Sequence, residues 1–295
     1  MTTNKVEGLV LKRYSGFYYV QDEQYQIYEC KLRGKIKVAV LTGDRVGFTP
    51  LEAGKGILES ILPRKNELYR PRIANVNLLL IIMACKQPAP SLILLDKLLL
   101  MASFYRLTPQ ILLNKSDLPP DSKSVFIEDY YPRICLPPIK TSAKEKTGID
   151  LLRKVIEKKI AVFAGPSGAG KSSLLNTLID GVSVKTQELS KKVARGKHTT
   201  RHVELYPLRS GGWIADTPGF SLIETPAAIK SSELSGHFSE LGSVAGGCRF
   251  NDCLHRGEKH CAVKEAVNEG LIAPSRYKNY LYILEEILAK ERSYK

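Results

Sequence analysis

The sequence predicts a multidomain chain. An N-terminal all-β barrel of the OB type comes first, then a central α/β domain of the phosphate-loop class, then a small helical segment built around a metal cluster. Three observations carry this. Residues 1–65 are short, turn-punctuated β-type segments, the middle alternates apolar strands with helical patterns around a G-x-x-x-x-G-K-S loop, and the end gathers cysteines and histidines. At roughly 100–200 residues per domain, 295 residues hold two or three such units. The boundaries expected are 1–65, 66–225 and 226–295.

Composition narrows the class. An apolar fraction of 43% and a charged fraction of 25% are ordinary for a globular protein, which excludes collagen-like, disulfide-scaffold and wholly disordered chains. The longest apolar stretch, residues 78–85, falls far short of the ~18 residues a membrane helix needs. Asp96 and Lys97 break the next, and residues 1–16 carry Lys5, Glu7, Lys12 and Arg13 with no apolar signal core. A cytoplasmic protein with no membrane partner is expected. Its six cysteines then read as thiols or metal ligands, with Cys30, Cys85 and Cys135 as buried packing residues. Lys and Arg number 44 against 30 acidic residues, a balance of +14, which favours polyanionic partners.

In the first region, residues 6–11, 16–20, 24–30, 36–40 and 43–48 are aromatic or β-branched and separated by Gly, Asp and Lys turns. Five short strands at this spacing suit an OB-fold barrel. Lys31, Arg33, Lys35 and Lys37 recur at period two, which would give one extended segment a basic face, either a guarded edge or a surface tracking an RNA backbone. In the middle region, strands are expected at 77–85, 110–113, 159–164 and 213–216, with a helix at 96–105. A helix at about 275–291 closes the chain, with Tyr277, Leu281, Leu284 and Leu288 at helical spacing.

Gly165-Pro166-Ser167-Gly168-Ala169-Gly170-Lys171-Ser172, followed by Ser173, lies between an apolar strand and a helical pattern. Glycines there let successive N–H groups wrap an anion, Lys171 supplies charge to the β- and γ-phosphates, and the Ser172 hydroxyl suits Mg²⁺. Asp216-Thr217-Pro218-Gly219 ends a strand some fifty residues on, where Asp216 can hold Mg²⁺ through water and the Gly219 N–H can meet the γ-phosphate. Asn114-Lys115-Ser116-Asp117 also follows a strand. The Asp117 carboxylate matches the two donors of guanine, which adenine lacks, and Ser142-Ala143-Lys144 offers an N–H for guanine O6. Together these define a GTP site rather than an ATP site. The order is rotated: the base-reading motifs precede the phosphate loop, as a circular permutation would produce, and close termini make that tolerable.

Cys248-x₄-Cys253-x-His255-x₅-Cys261 brings three thiols and an imidazole within fourteen residues, with His260 a competing imidazole. Three cysteines and one histidine fill a tetrahedral Zn²⁺ shell with no position left for water, so the site reads as structural.

On these motifs the chain closely resembles the circularly permuted, small-ribosomal-subunit-dependent GTPases of the RsgA (YjeQ) family, over essentially its whole length. The resemblance implies an OB-fold, a permuted GTPase domain and a zinc-binding domain. It also implies GTP hydrolysis to GDP and phosphate, stimulated by the small (30S) subunit, a role in late maturation of that subunit, and binding to rRNA. A monomer is expected. The family pattern places its histidine two residues after the second cysteine, which selects His255 over His260. Phe220 stands where many GTPases place a water-orienting glutamine, and phenylalanine cannot hydrogen-bond a water. His198, where the family motif carries histidine, is the candidate to replace it, and Thr200 is the expected second Mg²⁺ ligand, with Thr199 the alternative. Lys185, Lys191, Lys192, Arg195, Lys197 and Arg201 surround it with a single opposing Glu188, a loop that could touch RNA. The alternative reading is an RNA-binding module whose nucleotide site is structural only.

Overall fold

The structure, a computed structural model, describes residues 5–34, 37–69, 71–179, 203–216, 225–226 and 228–293. These form two compact units. The first holds the described residues up to Leu80, those within 141–164, and those from Gly170 to Asp216; the second holds those within 81–140 and 165–169, and those from Thr225 on.

In the first unit, β1 (Val6–Tyr14), β2 (Phe17–Asp22), β3 (Ile27–Leu32), β4 (Arg45–Pro50) and β5 (Lys55–Ile61) lie in the order β1-β2-β3-β5-β4, and β1 pairs with β4 to close an OB-like barrel. Alternation along the strands turns Val10, Val20, Cys30, Val46, Phe48 and Leu58 into its core. Two expectations need correction. Residues 37–40 are irregular, and the fifth strand is Lys55–Ile61, which the sequence pattern does not single out. The reason is edge occupancy: β3 already pairs with β2 on one side and, in parallel, with β5 on the other. The period-two basic face therefore does not form along one strand. β3 ends at Leu32, Lys31 sits over the Phe17 ring, Arg33 pairs with Glu59 at 2.8 Å, and Lys35 lies outside the described residues.

A ribbon of β6 (Glu67–Leu68) and β7 (Ile73–Ala74) follows the barrel. The wholly buried Asp44 anchors it, accepting from Arg64 Nε and Nη2 at 2.7 and 2.8 Å, while Arg64 also reaches Glu67 at 2.5 Å. Gly43, at φ +87°, lies so close to this ribbon that a Cβ would stand 2.1 Å from the Ala74 carbonyl oxygen.

β8 (Leu78–Ala84) is buried along its whole length and runs from the first unit into the second. After it come α1 (Leu92–Phe104), β9 (Thr108–Asn114), α2 (Ser122–Tyr130), β10 (Ile139–Thr141), α3 (Ile149–Ile156), β11 (Ile160–Ala164), α4 (Lys171–Leu178), β12 (Glu204–Pro207) and β13 (Trp213–Asp216). In the first unit β13 pairs in parallel with β11 and antiparallel with β12, and β12 meets barrel strand β1 at Lys12↔Glu204.

The chain ends in the second unit with α5 (Ser239–Ala245), α6 (Ala262–Asn268) and α7 (Pro274–Ser293). Their core, including Leu234, Phe238, Leu241, Tyr280, Ile283 and Ile287, takes in Leu100 of α1. The buried face of α7 is Arg276, Tyr280, Ile283, Leu284 and Ile287, so of the four apolar positions expected only Leu284 is fully buried. The face is turned because Arg276 points inward to a buried carboxylate on α1, described below. Among the described residues no helix is long and apolar enough to cross a membrane.

Candidate functional site

The phosphate loop leaves β11 at Ala164 and enters α4 at Lys171. Three of its glycines hold left-handed backbone: Gly165 at φ +139°, Gly168 at +78° and Gly170 at +96°. Gly165 is the tightest, since a Cβ there would meet the Ile82 carbonyl oxygen of β8 at 2.1 Å. Any side chain would push the loop off the strand that supports it. Ser167, Gly168 and Ser173 are exposed, Pro166, Gly170, Lys171 and Ser172 half-buried, and Ala169 fully buried. Burial pulls the Lys171 ammonium below its ordinary pKa, an unfavourable position that a phosphate anion would relieve.

Asn114 ends β9 almost wholly buried, and its Nδ2 donates to the Ala169 carbonyl at 2.8 Å. The base-reading motif is thereby fastened to the phosphate loop across 55 positions of sequence. The following Lys115 adopts φ +58°, left-handed backbone that a non-glycine residue holds only when its surroundings impose it. Its Nζ donates to the Gln87 carbonyl. Pro88, after a cis bond from Gln87, lies beside Gly168, where an added Cβ would stand 3.5 Å from the Pro88 ring, so residues 87–88 adjoin both motifs. Nothing in the local pattern at 87–88 marks that role. Ser116 is half-buried and Asp117 exposed.

In the first unit, β10 delivers Ser142, fully buried, whose Oγ accepts from the Glu145 N–H at 3.1 Å. That bond, with the Ser142–Thr147 bridge, shapes the turn that presents Ala143 and the exposed Lys144. Asp216 closes β13. His198, Thr199, Thr200, Thr217, Pro218, Gly219 and Phe220, with the basic run from Lys185 to Arg201, lie outside the described residues.

The four cluster residues come together in the second unit. The ligand atoms of Cys248, Cys253, His255 and Cys261 all lie within 4.8 Å of one another. His255 Nδ1 stands 3.5 Å from Cys248 Sγ and 3.4 Å from Cys261 Sγ, close to the ~3.3–3.8 Å edges of a tetrahedron with Zn–N and Zn–S bonds. His260 faces solvent instead. Burial holds the His255 imidazole below its usual pKa, in the neutral form that ligates, and pushes the Cys253 thiol up to about 12. Three thiols and a neutral imidazole converging at these distances fit a metal ion, which would favour the thiolate form. α7 grips this loop: Tyr277 Oη donates to the His255 carbonyl at 2.6 Å and Tyr280 Oη to that of Leu254 at 2.9 Å.

A further group escapes local sequence reading. Asp96 of α1, fully buried, accepts from Arg276 at 2.5 Å, Asn279 at 2.6 Å and Tyr131 at 2.7 Å, while Arg276 also binds Glu240 of α5 at 2.6 and 3.1 Å. Burial pushes the Asp96 carboxyl up, against the pull of Arg276 and its hydrogen bonds. Burial opposes charge on Arg276 as well, but Asp96 and Glu240 together hold it charged. Asp96 inside an apolar helix is the one local signal, since a buried carboxylate demands a partner.

A closed OB-like barrel, a phosphate loop tied to a base-reading Asn-Lys-x-Asp that precedes it, and a Cys₃His cluster define a circularly permuted GTPase. The chain belongs to the RsgA GTPase family. The family model for the RsgA GTPase matches residues 61–226, and that for the RsgA N-terminal domain residues 7–58. The small ribosomal subunit biogenesis GTPase RsgA of Carboxydothermus hydrogenoformans is 48% identical, covering 98% of this chain and 100% of the relative. Its namesake from Bacillus velezensis is 42% identical over 98% and 99%. Among solved structures, YjeQ from Thermotoga maritima matches with TM-score 0.83 and 37% identity over 97% of this chain and 99% of that one. YloQ, described as a circularly permuted GTPase, matches with TM-score 0.83 and 34% identity over 97% and 96%.

Proposed function

We propose that this GTPase acts in small-subunit biogenesis, binding the 30S subunit and rRNA as a monomer and hydrolysing GTP faster when docked on the subunit. Relatives of full matching length that carry that role in their names support the partner. The observation that carries the nucleotide reading is the Asn114–Ala169 hydrogen bond, which joins base recognition to phosphate recognition despite the rotated order. In this reading Asn114, Lys115, Ser116 and Asp117, with Ser142, Ala143 and Lys144, hold guanine. Residues 165–173 hold the phosphates, Ser172 and Thr200 with Asp216 hold Mg²⁺, and Gly219 meets the γ-phosphate. His198 orients the attacking water in place of the glutamine that Phe220 lacks. Cys248, Cys253, His255 and Cys261 hold one structural Zn²⁺, which supplies folding energy and no chemistry.

The test is turnover of GTP and XTP, with and without purified small subunits, by the native chain and by Asp117→Asn. The amide loses one acceptor for guanine and gains a donor for the 2-oxo group of xanthine. GTP binding should weaken about 10²-fold, the size of one or two lost charge-assisted bonds, while XTP improves. Unchanged preference for GTP over XTP would refute the base-reading assignment, and absence of subunit stimulation in the native chain would refute the partner.

A further inference from the structure

The barrel and the sheet beside it, both in the first unit, border a cleft of about 510 Å³. That volume suits a small ligand, whose sites run to roughly 300–1,000 Å³. The cleft lies where Ile160 begins β11, at the end of that strand away from the phosphate loop. Two side-chain amides line it, and each is held by a bond that fixes its orientation. Gln21 of β2 is 4% exposed, and its Oε1 accepts from the Trp213 indole N–H at 2.9 Å. An indole only donates, so Gln21 Nε2 is turned away from it. Asn77, just before β8, accepts at Oδ1 from the Ile160 N–H at 2.9 Å, which turns its Nδ2 away in the same manner. Among the described residues neither amide nitrogen has a hydrogen-bond partner.

An amide buried with its N–H groups unpaired favours a ligand that brings acceptors. Aromatic surface stands beside these donors: Trp213 is half-buried and Tyr25 is 60% exposed. Tyr25 sits on a braced turn at φ +63°, where Asp22 Oδ1 accepts from the N–H groups of Gln24 and Gln26. Arg45, Lys65 and Lys158 also line the cleft, and none of them pairs with a carboxylate among the described residues. Against them stand Asp22, engaged by its own turn, and the exposed Glu7 and Glu23. Charge at the cleft is balanced, so the donors inside it set the selectivity.

We infer that this cleft is a second recognition site, taking one unpaired nucleotide with a uracil base. Uracil carries two exocyclic carbonyl oxygens, one for each amide, and a flat face for the aromatic rings. Adenine has no carbonyl oxygen and would turn an amino group toward donors, while cytosine and guanine each combine one carbonyl with one amino group. The phosphate lies toward Arg45, Lys65 and Lys158. A free nucleotide and one nucleotide of an RNA strand share this chemistry. The site shares no residue with the GTP site proposed above and does not rest on that reading.

Trp213 is the chain's single tryptophan, so its emission reports on this cleft. The test is titration of the full chain, saturated with GDP, by UMP, AMP, hexauridylate and hexaadenylate. UMP should change the emission saturably and bind about tenfold tighter than AMP, the worth of one or two hydrogen bonds. Asn77→Asp keeps the acceptor for Ile160 and replaces the donor by an oxygen. It should weaken UMP about tenfold and cancel the preference over AMP, with the thermal midpoint near native. Arg45→Ala, at an exposed position, should weaken UMP about threefold, and only at low salt. Should Asn77→Asp fold poorly, Arg45→Ala and the native ratio of UMP to AMP still decide. Hexauridylate binding more than about tenfold tighter than UMP, through added phosphate contacts, names an RNA strand as the source, and a smaller difference names the free nucleotide. No saturable response to UMP or hexauridylate overturns the inference. So does equal binding of uridine and adenosine ligands, or UMP affinity unchanged in a folded Asn77→Asp.

Discussion

The N-terminal barrel and the C-terminal region solve the same problem in opposite ways. Each is a short stretch with little apolar mass. The barrel closes on itself, and every buried residue of its core lies between Val10 and Leu58. The C-terminal region does not close. Its core draws in Leu100 of α1, with Ile93 and Phe104 packed against it, and its loop brings together four groups that could hold a metal ion. A barrel satisfies its edges by pairing them, whereas two short helices and one long one around an irregular loop leave backbone and apolar surface that something else must cover. The C-terminal region is thus an extension of the nucleotide-binding fold, gathered around a Cys₃His cluster fit for a metal at one end and a buried ionic knot in the middle.

Removing the metal should separate the two regions most sharply. Structural zinc contributes roughly 10–16 kcal/mol of apparent binding energy in finger peptides, so its loss outweighs any single contact here. Chelation, or Cys253→Ala, is expected to erase amide-exchange protection across residues 248–268 and to loosen α7 where Tyr277 and Tyr280 reach the loop. The barrel strands should exchange as before. Protection that is unchanged at both ends after metal release would break the comparison.

The next effect comes from the knot. Arg276→Ala strands Asp96 and Glu240 in a buried setting, and breaking a buried pair from one side costs about 3–5 kcal/mol. Denaturant unfolding should show that loss, and exchange should rise in α1 as well as α7, because Asp96 stands on α1. The paired replacement Asp96→Leu with Arg276→Met should recover most of it, since an apolar pair removes the desolvation penalty with the charges. If α1 stays protected in Arg276→Ala, the C-terminal region is more independent than its core implies.

How much of this was legible in advance follows the range of the interactions. The phosphate loop, Asn114–Asp117 and the run from Cys248 to Cys261 are local in the chain and each residue type has a chemical reason, so they stand out from the sequence. The barrel was legible as a class because alternation is local, but pairing partners are not. Residues 36–40 look as strand-like as 55–61, and only the parallel partner of β3 decides between them. Asp96 and Arg276 are 180 positions apart, so the knot leaves only an acid inside an apolar helix and an arginine at the start of another. The turned face of α7 follows from that unseen partner. The residues proposed to complete hydrolysis, His198, Thr200 and Gly219, lie outside the described residues.

The smallest expected effect is at the place where the barrel meets the β12–β13–β11 sheet of its own unit. Lys12 of β1 and Glu204 of β12 pair at 2.8 Å, and their side chains retain 38% and 36% exposure. The pair looks like a bolt, since it sits at the register position where the two strands meet. Solvent screens it, however, and holding two long side chains in place has an entropic cost, so half-exposed pairs of this kind contribute only about 0.2–1 kcal/mol. Lys12 also lies 5.1 Å from the centre of the Tyr19 ring, an interaction that adds little at an exposed site. Lys12→Met keeps most of the aliphatic stem over Tyr19 and removes the charge, so it should shift the unfolding midpoint barely, and raised salt should erase even that difference. A loss of about 2 kcal/mol or more, persisting at high salt, would exceed what a screened pair can give. The barrel would then lean on its neighbouring sheet much as the C-terminal region leans on α1, and the contrast between the two ends of the chain would fail.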